Sequence, residues 1–125
     1  MNFKVTGLLL LLSFPAISQG SQRDAGKYNL ENFALSQCLA NGFSDKSVKE
    51  DALAAVGAYV ELGSYPAEAY EEATDLVHQF LNKKYVSKEG HSELIVMKCI
   101  DLSRSNELMV IKQKYAHSTT DNLKP

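Results

Sequence analysis

Residues 51–85, DALAAVGAYVELGSYPAEAYEEATDLVHQFLNKKY, decide the fold. They read as two helices folded back on each other across the corner Gly63-Ser64-Tyr65-Pro66, because a glycine stands where one helix should stop and a proline where the next should start. The first arm carries the small residues Ala52, Ala54, Ala55, Gly57 and Ala58 among Leu53, Val56 and Val60, so a neighbouring helix can approach it closely. On the second arm Tyr70, Ala73, Val77, Phe80 and Lys84 recur at three- and four-residue steps, and Ala69, Leu76 and Leu81 widen the apolar face. Such a hairpin needs cover for its apolar sides, and the flanking sequence has to supply it.

Upstream, Leu30, Phe33, Ala34 and Cys38, flanked by Leu35 and Leu39, give a helix from residue 28 or 29 to residue 41 with a broad buried face, and Gly42 ends it. Between that helix and the hairpin, Ser47 followed three residues later by Glu50 fits a capping box, with Ser44 as the alternative cap one turn earlier. The second arm starts at Pro66, with Glu68, Glu71 and Glu72 in its opening turns and Lys83 and Lys84 in its last, where the helix dipole favours them. After a connection over residues 86–91, Ser92 is placed to cap SELIVMKCIDLS, residues 92–103, which is charged only at Glu93, Lys98 and Asp101. A helix apolar almost all round predicts the innermost position in a bundle. A break at 103–106 follows, and Leu108, Ile111 and Tyr115 line one side of a last helix. No stretch shows the period-two alternation of strands, so the expected fold is an all-α bundle of about five helices. It occupies residues 28–117, after a flexible lead-in at 19–27 and before a loose tail at 118–125.

The N-terminus shortens the working chain. Residues 1–4 carry one positive charge, residues 5–14 are almost wholly apolar, and Pro15-Ala16-Ile17-Ser18-Gln19-Gly20 is a break with small residues, the three-part plan of a secretory signal peptide. Cleavage fits after Ser18 or after Gly20, and an apolar core of about ten residues is too short for a bilayer, which needs roughly 20. The chain holds 13 basic and 15 acidic residues; removal of Lys4 with the segment leaves 12 against 15, a net of −3. That balance offers no electrostatic footprint for nucleic acid or an anionic membrane. Export also places Cys38 and Cys99, the two cysteines, in an oxidising compartment, where they are expected to pair.

A search for reactive chemistry returns little. The histidines His78, His91 and His117 are scattered, and Asp75 with His78 supplies only half of a bundle metal site. There is no Gly-x-Ser-x-Gly, His-Glu-x-x-His, phosphate-cradling loop or haem-attachment motif, and Glu71 and Glu72 are consecutive, so they point apart on a helix. The expectation is a protein that is not an enzyme and holds no metal or cofactor. What stands out is decoration around the corner, where Tyr59, Glu61, Leu62, Tyr65, Glu68 and Tyr70 fall within twelve residues. Tyrosine suits a surface where an apolar body meets a partner while its hydroxyl stays wet.

Five words carry a family resemblance: ALSQCLA at 34–40, GAYVELG at 57–63, AY at 69–70, KKYVSK at 83–88 and MKCIDLS at 97–103. In order and spacing they resemble the immunity proteins that neutralise type VI secretion amidase effectors of the fourth class, over about residues 28–108. The resemblance implies a periplasmic, all-helical, catalytically inert protein that forms a homodimer and binds a toxin delivered by neighbouring bacteria. That toxin is a papain-like cysteine amidase that cuts the peptide stems of peptidoglycan, and a protruding loop of the inhibitor blocks its cleft. Carried onto this chain, the loop is the corner with its flanks, Glu61, Leu62, Gly63, Ser64, Tyr65, Pro66 and Glu68, and residues 86–92 are the second candidate. Ser103-Arg104 departs from the expected aromatic or histidine before the serine, which puts local contacts in doubt there. The alternative function is an exported envelope structural or stress protein that oligomerises through the small-residue face of residues 52–58; a metal or haem carrier is a weaker one.

Overall fold

The computed structural model describes residues 26–116, so the expected signal segment, most of the lead-in, residue 117 at the end of the expected domain and the tail at 118–125 lie outside the described residues. Five helices follow in chain order: α1 (Asn29–Gly42), α2 (Lys46–Leu62), α3 (Ala67–Leu81), α4 (Ile95–Ser103) and α5 (Asn106–Tyr115), with no strand among the described residues. The hairpin is therefore α2 and α3, and the hub between its arms is α1, which packs against α2, α3 and α4. Covered on three sides, α1 buries Asn29, Leu30, Phe33, Ala34, Ser36, Cys38 and Ala40, more of its circumference than a one-sided helix could. Helix α3 buries Ala69, Tyr70, Ala73, Leu76, Val77 and Phe80, as the three- and four-residue steps predict, and it also meets α4 and α5.

The innermost helix is not the one the composition suggests. Helix α4 buries Lys98, Cys99 and Leu102 but leaves Val96, Met97 and Ile100 in solvent, with Met97 54 % exposed. A nine-residue helix has one face to give to the core, and Cys99 fixes which face that is. The Cys38 to Cys99 bridge is formed, with both residues fully buried and their Cα atoms 5.5 Å apart. It staples α4 to α1 across 61 residues of sequence, and a loop of that length stabilises by about 4 kcal/mol in the chain-entropy picture. Leu102 and Leu108, one from each C-terminal helix, belong to the same buried cluster as the bridge and complete the core.

Local chemistry sets the helix ends, with three corrections to the sequence reading. Asp45, rather than Ser47 or Ser44, caps α2: its Oδ1 accepts from Val48 N at 3.1 Å and from the Ser47 hydroxyl. Helix α3 stops at Leu81, short of Lys83 and Lys84, and the basic group at its C-terminus arrives from α4 instead, where Lys98 Nζ donates to Leu81 O at 3.0 Å. Ser92 lies too far upstream to cap α4; its Oγ accepts from Leu94 N, and Leu94 itself takes the left-handed conformation (φ 54°) before the helix begins. Ser105 caps α5 through Leu108 N, at the expected break. Helix α5 is then tied to α3 by Glu72, whose Oε1 accepts from the Tyr115 hydroxyl at 2.7 Å and pairs with Lys114.

Candidate functional site

The corner between α2 and α3 is anchored from beneath. Asn29, 1 % exposed at the start of α1, donates from Nδ2 to Tyr59 O at 2.6 Å and accepts at Oδ1 from the Tyr70 hydroxyl at 3.0 Å. One buried amide thus joins the first turn of α1, the last turn of α2 and the first turn of α3. Gly63 sits directly over this network in extended backbone (φ −88°, ψ 164°), where a Cβ would run into the Tyr70 hydroxyl and the Asn29 side chain. The helix stops at this glycine as the sequence suggested, and glycine is required here by close approach. Pro66 then holds φ at −67° and caps the start of α3 without needing a donor.

This anchoring divides the expected contact residues into two sets. Glu61, Leu62 (58 % exposed), Ser64 and Glu68 face solvent, while Gly63, Tyr65 and Pro66 are half-buried. The Tyr65 ring is turned inward, edge-on to Tyr70 at 6.2 Å, and Tyr70 in turn meets Phe33 edge-on at 4.8 Å. Burial raises the Tyr65 hydroxyl pKa above its ordinary value, with the nearby Glu31 charge adding to it, and burial does the same for Tyr70. Both are held as neutral phenols that pack the base of the corner. Tyr65, expected to meet a partner, is thus half-buried and also braces the corner from beneath.

The second connection, residues 82–94, is built differently. The Ser87 hydroxyl oxygen accepts from His91 N at 3.1 Å and Ser92 N at 3.2 Å, and Ser87 O accepts from Gly90 N at 2.9 Å, which folds residues 87–92 on themselves. Gly90 takes φ 72°, a conformation that side-chain-bearing residues adopt only at a cost. The near end is tied by the Tyr85 hydroxyl donating to Asp101 Oδ2 at 2.7 Å, and that bond raises the Tyr85 pKa. Val86, 81 % exposed, projects from this tied segment.

Beside it lies an apolar cavity of about 610 Å³, lined by Phe43, Leu94, Ile95, Val96, Met97 and Ile100. Sequence reasoning missed this surface because it assigned the α4 side chains among them to the core. The available clue was Cys99, since a bridge to α1 commits one face of α4 inward and leaves the opposite face outward.

Elsewhere Asp75 and His78 both stand exposed on α3, and no group of three or more possible metal ligands occurs among the described residues. None of the described helices is long and apolar enough to cross a membrane.

A family model described as type VI secretion system (T6SS) amidase immunity protein, Tai4, matches residues 28–112. The chain belongs to this family. Comparison with curated proteins returned no match. Among solved structures, it is similar to a chain of the Tae4/Tai4 effector–immunity system from Salmonella typhimurium, with 33 % identity, a TM-score of 0.67, and coverage of 74 % of this chain and 92 % of that one. The Tae4–Tai4 complex from Enterobacter cloacae gives 29 % identity and a TM-score of 0.64, covering 80 % of this chain and 97 % of that one. A hybrid complex, Salmonella typhimurium Tae4 with Enterobacter cloacae Tai4, gives 29 % identity and 0.63, covering 80 % and 98 %. These relatives are immunity proteins, and the Tai4 match spans all five helices up to Lys112.

Proposed function

We propose that this protein is a periplasmic immunity protein, released from its signal segment at residue 18 or 20, that binds a Tae4-type peptidoglycan amidase and occludes its active-site cleft. It catalyses nothing itself, requires no cofactor, and works as a homodimer. The observation that carries the reading is family membership over residues 28–112, a span that includes both connections capable of entering a cleft.

Of the two connections, the corner offers Glu61, Leu62, Ser64 and Glu68 to the amidase, while Gly63, Tyr65 and Pro66 hold those four in place. A surface whose backbone is already fixed loses little entropy on docking, so more of each contact survives as affinity. Leu62 supplies an apolar anchor, and the two glutamates steer toward basic groups at a cleft rim. The exposed Val86 on its bonded segment supports the second reading, in which residues 86–92 enter the cleft.

The test is digestion of purified murein by the amidase with and without the mature protein. Stoichiometric protection is expected, and undiminished digestion would end the proposal. Leu62→Asp with Glu61→Arg should weaken amidase binding at least tenfold and Val86→Asp less; the opposite ranking would move the site to residues 86–92. Intact mass of the protein recovered from periplasm checks the cleavage site, and light scattering of the free protein checks the dimer.

A further inference from the structure

The structure assigns a carboxylate-binding site to the cavity of about 400 Å³ between the end of α3 and the face of α4, lined by Leu81, Asn82, Lys83, Lys84, Tyr85, Val86, Glu93 and Lys98. Its floor is Lys98, which is only 5 % exposed. An ammonium group has three donors and a full charge, and burying it without an opposite charge is costly. Lys98 Nζ donates to the Leu81 carbonyl at 3.0 Å, and the Tyr85 ring lies at 6.0 Å, the far edge of useful cation–π range. No ion pair involves it among the described residues.

The carboxylate one turn along α4 is diverted, because Asp101 accepts the Tyr85 hydroxyl at 2.7 Å. Glu93 lines the cavity but is exposed and makes no ion pair with Lys98. Lys83 and Lys84 add two further positive charges at the rim, Lys83 with its ammonium 3.4 Å from the centre of the Phe80 ring. Three lysines against one glutamate, around a buried donor with spare valence, fit an anionic oxygen ligand entering from solvent. The Leu81 carbonyl takes one of the three donors of Lys98 and leaves two for the oxygens of a carboxylate. The assignment holds whichever connection meets the amidase.

Backbone amide spectra of the mature protein, titrated with sodium acetate and separately with sodium chloride at equal ionic strength, test it. Acetate should shift residues 81–86, 93 and 98 saturably, and chloride should not. Lys98→Met should lose the acetate response and stay folded with a slightly lower melting temperature, since an apolar side chain of similar length suits the buried position but leaves the Leu81 carbonyl without its donor. Lys98→Arg should retain the response, and Lys83→Ser with Lys84→Ser, a surface change, should weaken acetate binding several-fold. Equal shifts from both salts, or an acetate response that survives Lys98→Met, would overturn the assignment. Adding the amidase identifies the source of the carboxylate: displacement of acetate means an acidic side chain of the effector fills the site, and acetate retained in the complex means a free small carboxylate does.

Discussion

The two connections flanking α3 reach rigidity by opposite routes. The corner at residues 63–66 is short and borrows its order from the core, through Asn29, Tyr70 and a glycine that leaves no space. The connection at residues 82–94 is long and stands mostly in water, ordered by its own Ser87 and Ser92 hydroxyls and one tie to Asp101. A change in the corner is therefore felt throughout the fold, whereas a change in the long connection stays local. For a binding surface this means the corner tolerates variation only at its outward residues, while in residues 86–91 the exposed Val86, Lys88 and Glu89 can vary with little penalty to stability.

The contrast can be broken in graded steps, each read by urea unfolding unless stated. Removing the bridge with Cys38→Ala and Cys99→Ala should cost the most, about 2–5 kcal/mol, since it releases α4 and with it the support of both connections. Gly63→Val should cost about 3 kcal/mol, because the branched side chain would displace Tyr70 and Asn29 together, at the upper end of overpacking effects. Its counterpart Gly90→Ala should cost about 1 kcal/mol, the left-handed penalty alone, since open space surrounds that position. A Gly90→Ala loss as large as that of Gly63→Val would erase the distinction. Tyr70→Phe should cost about 1–3 kcal/mol by leaving the buried Asn29 oxygen without its donor. Amide exchange should then quicken at residues 59–66 and stay unchanged at 85–92.

The smallest effect is read by phenolate absorbance. Tyr65, Tyr70 and Tyr85 all ionise above the ordinary value of 10.0, the first two because of burial and the third because of its bond to Asp101. A raised folded-state pKa means the neutral form is favoured by folding, so this stability is complete below pH 10.0 and is lost as pH rises through the raised values. Asp101→Asn should return Tyr85 toward 10.0 and leave Tyr65 and Tyr70 unchanged. A shift of all three would show that the connections are coupled.

Much of this was readable from residue types. Gly42, Leu62 and Pro66 mark helix ends because backbone chemistry acts locally, and Tyr70, Ala73, Val77 and Phe80 mark a buried face because spacing alone defines one. The pairing of Cys38 with Cys99 followed from compartment and count. What escaped was identity of neighbours. Periodicity says that a side chain is apolar and not what covers it, so α4 was placed at the centre while Val96, Met97 and Ile100 lie outside and the charged Lys98 lies within. The packing of Tyr65 on Tyr70 escaped as well, because tyrosine serves surfaces and cores alike and the fold alone brings the two rings together. Asn29 gave no signal at all, since a polar residue at a helix start looks like an ordinary cap until its two partners, 30 and 41 residues away, are seen.

The sulfur link between α1 and α4 has a consequence for where this fold can persist. With its thiols reduced, as glutathione would keep them inside a cell, the chain forfeits about 4 kcal/mol, comparable to the whole margin of many small domains. Redox potential thus acts as a gate on the native state, loosening the fold where thiols are kept reduced and locking it where they are oxidised.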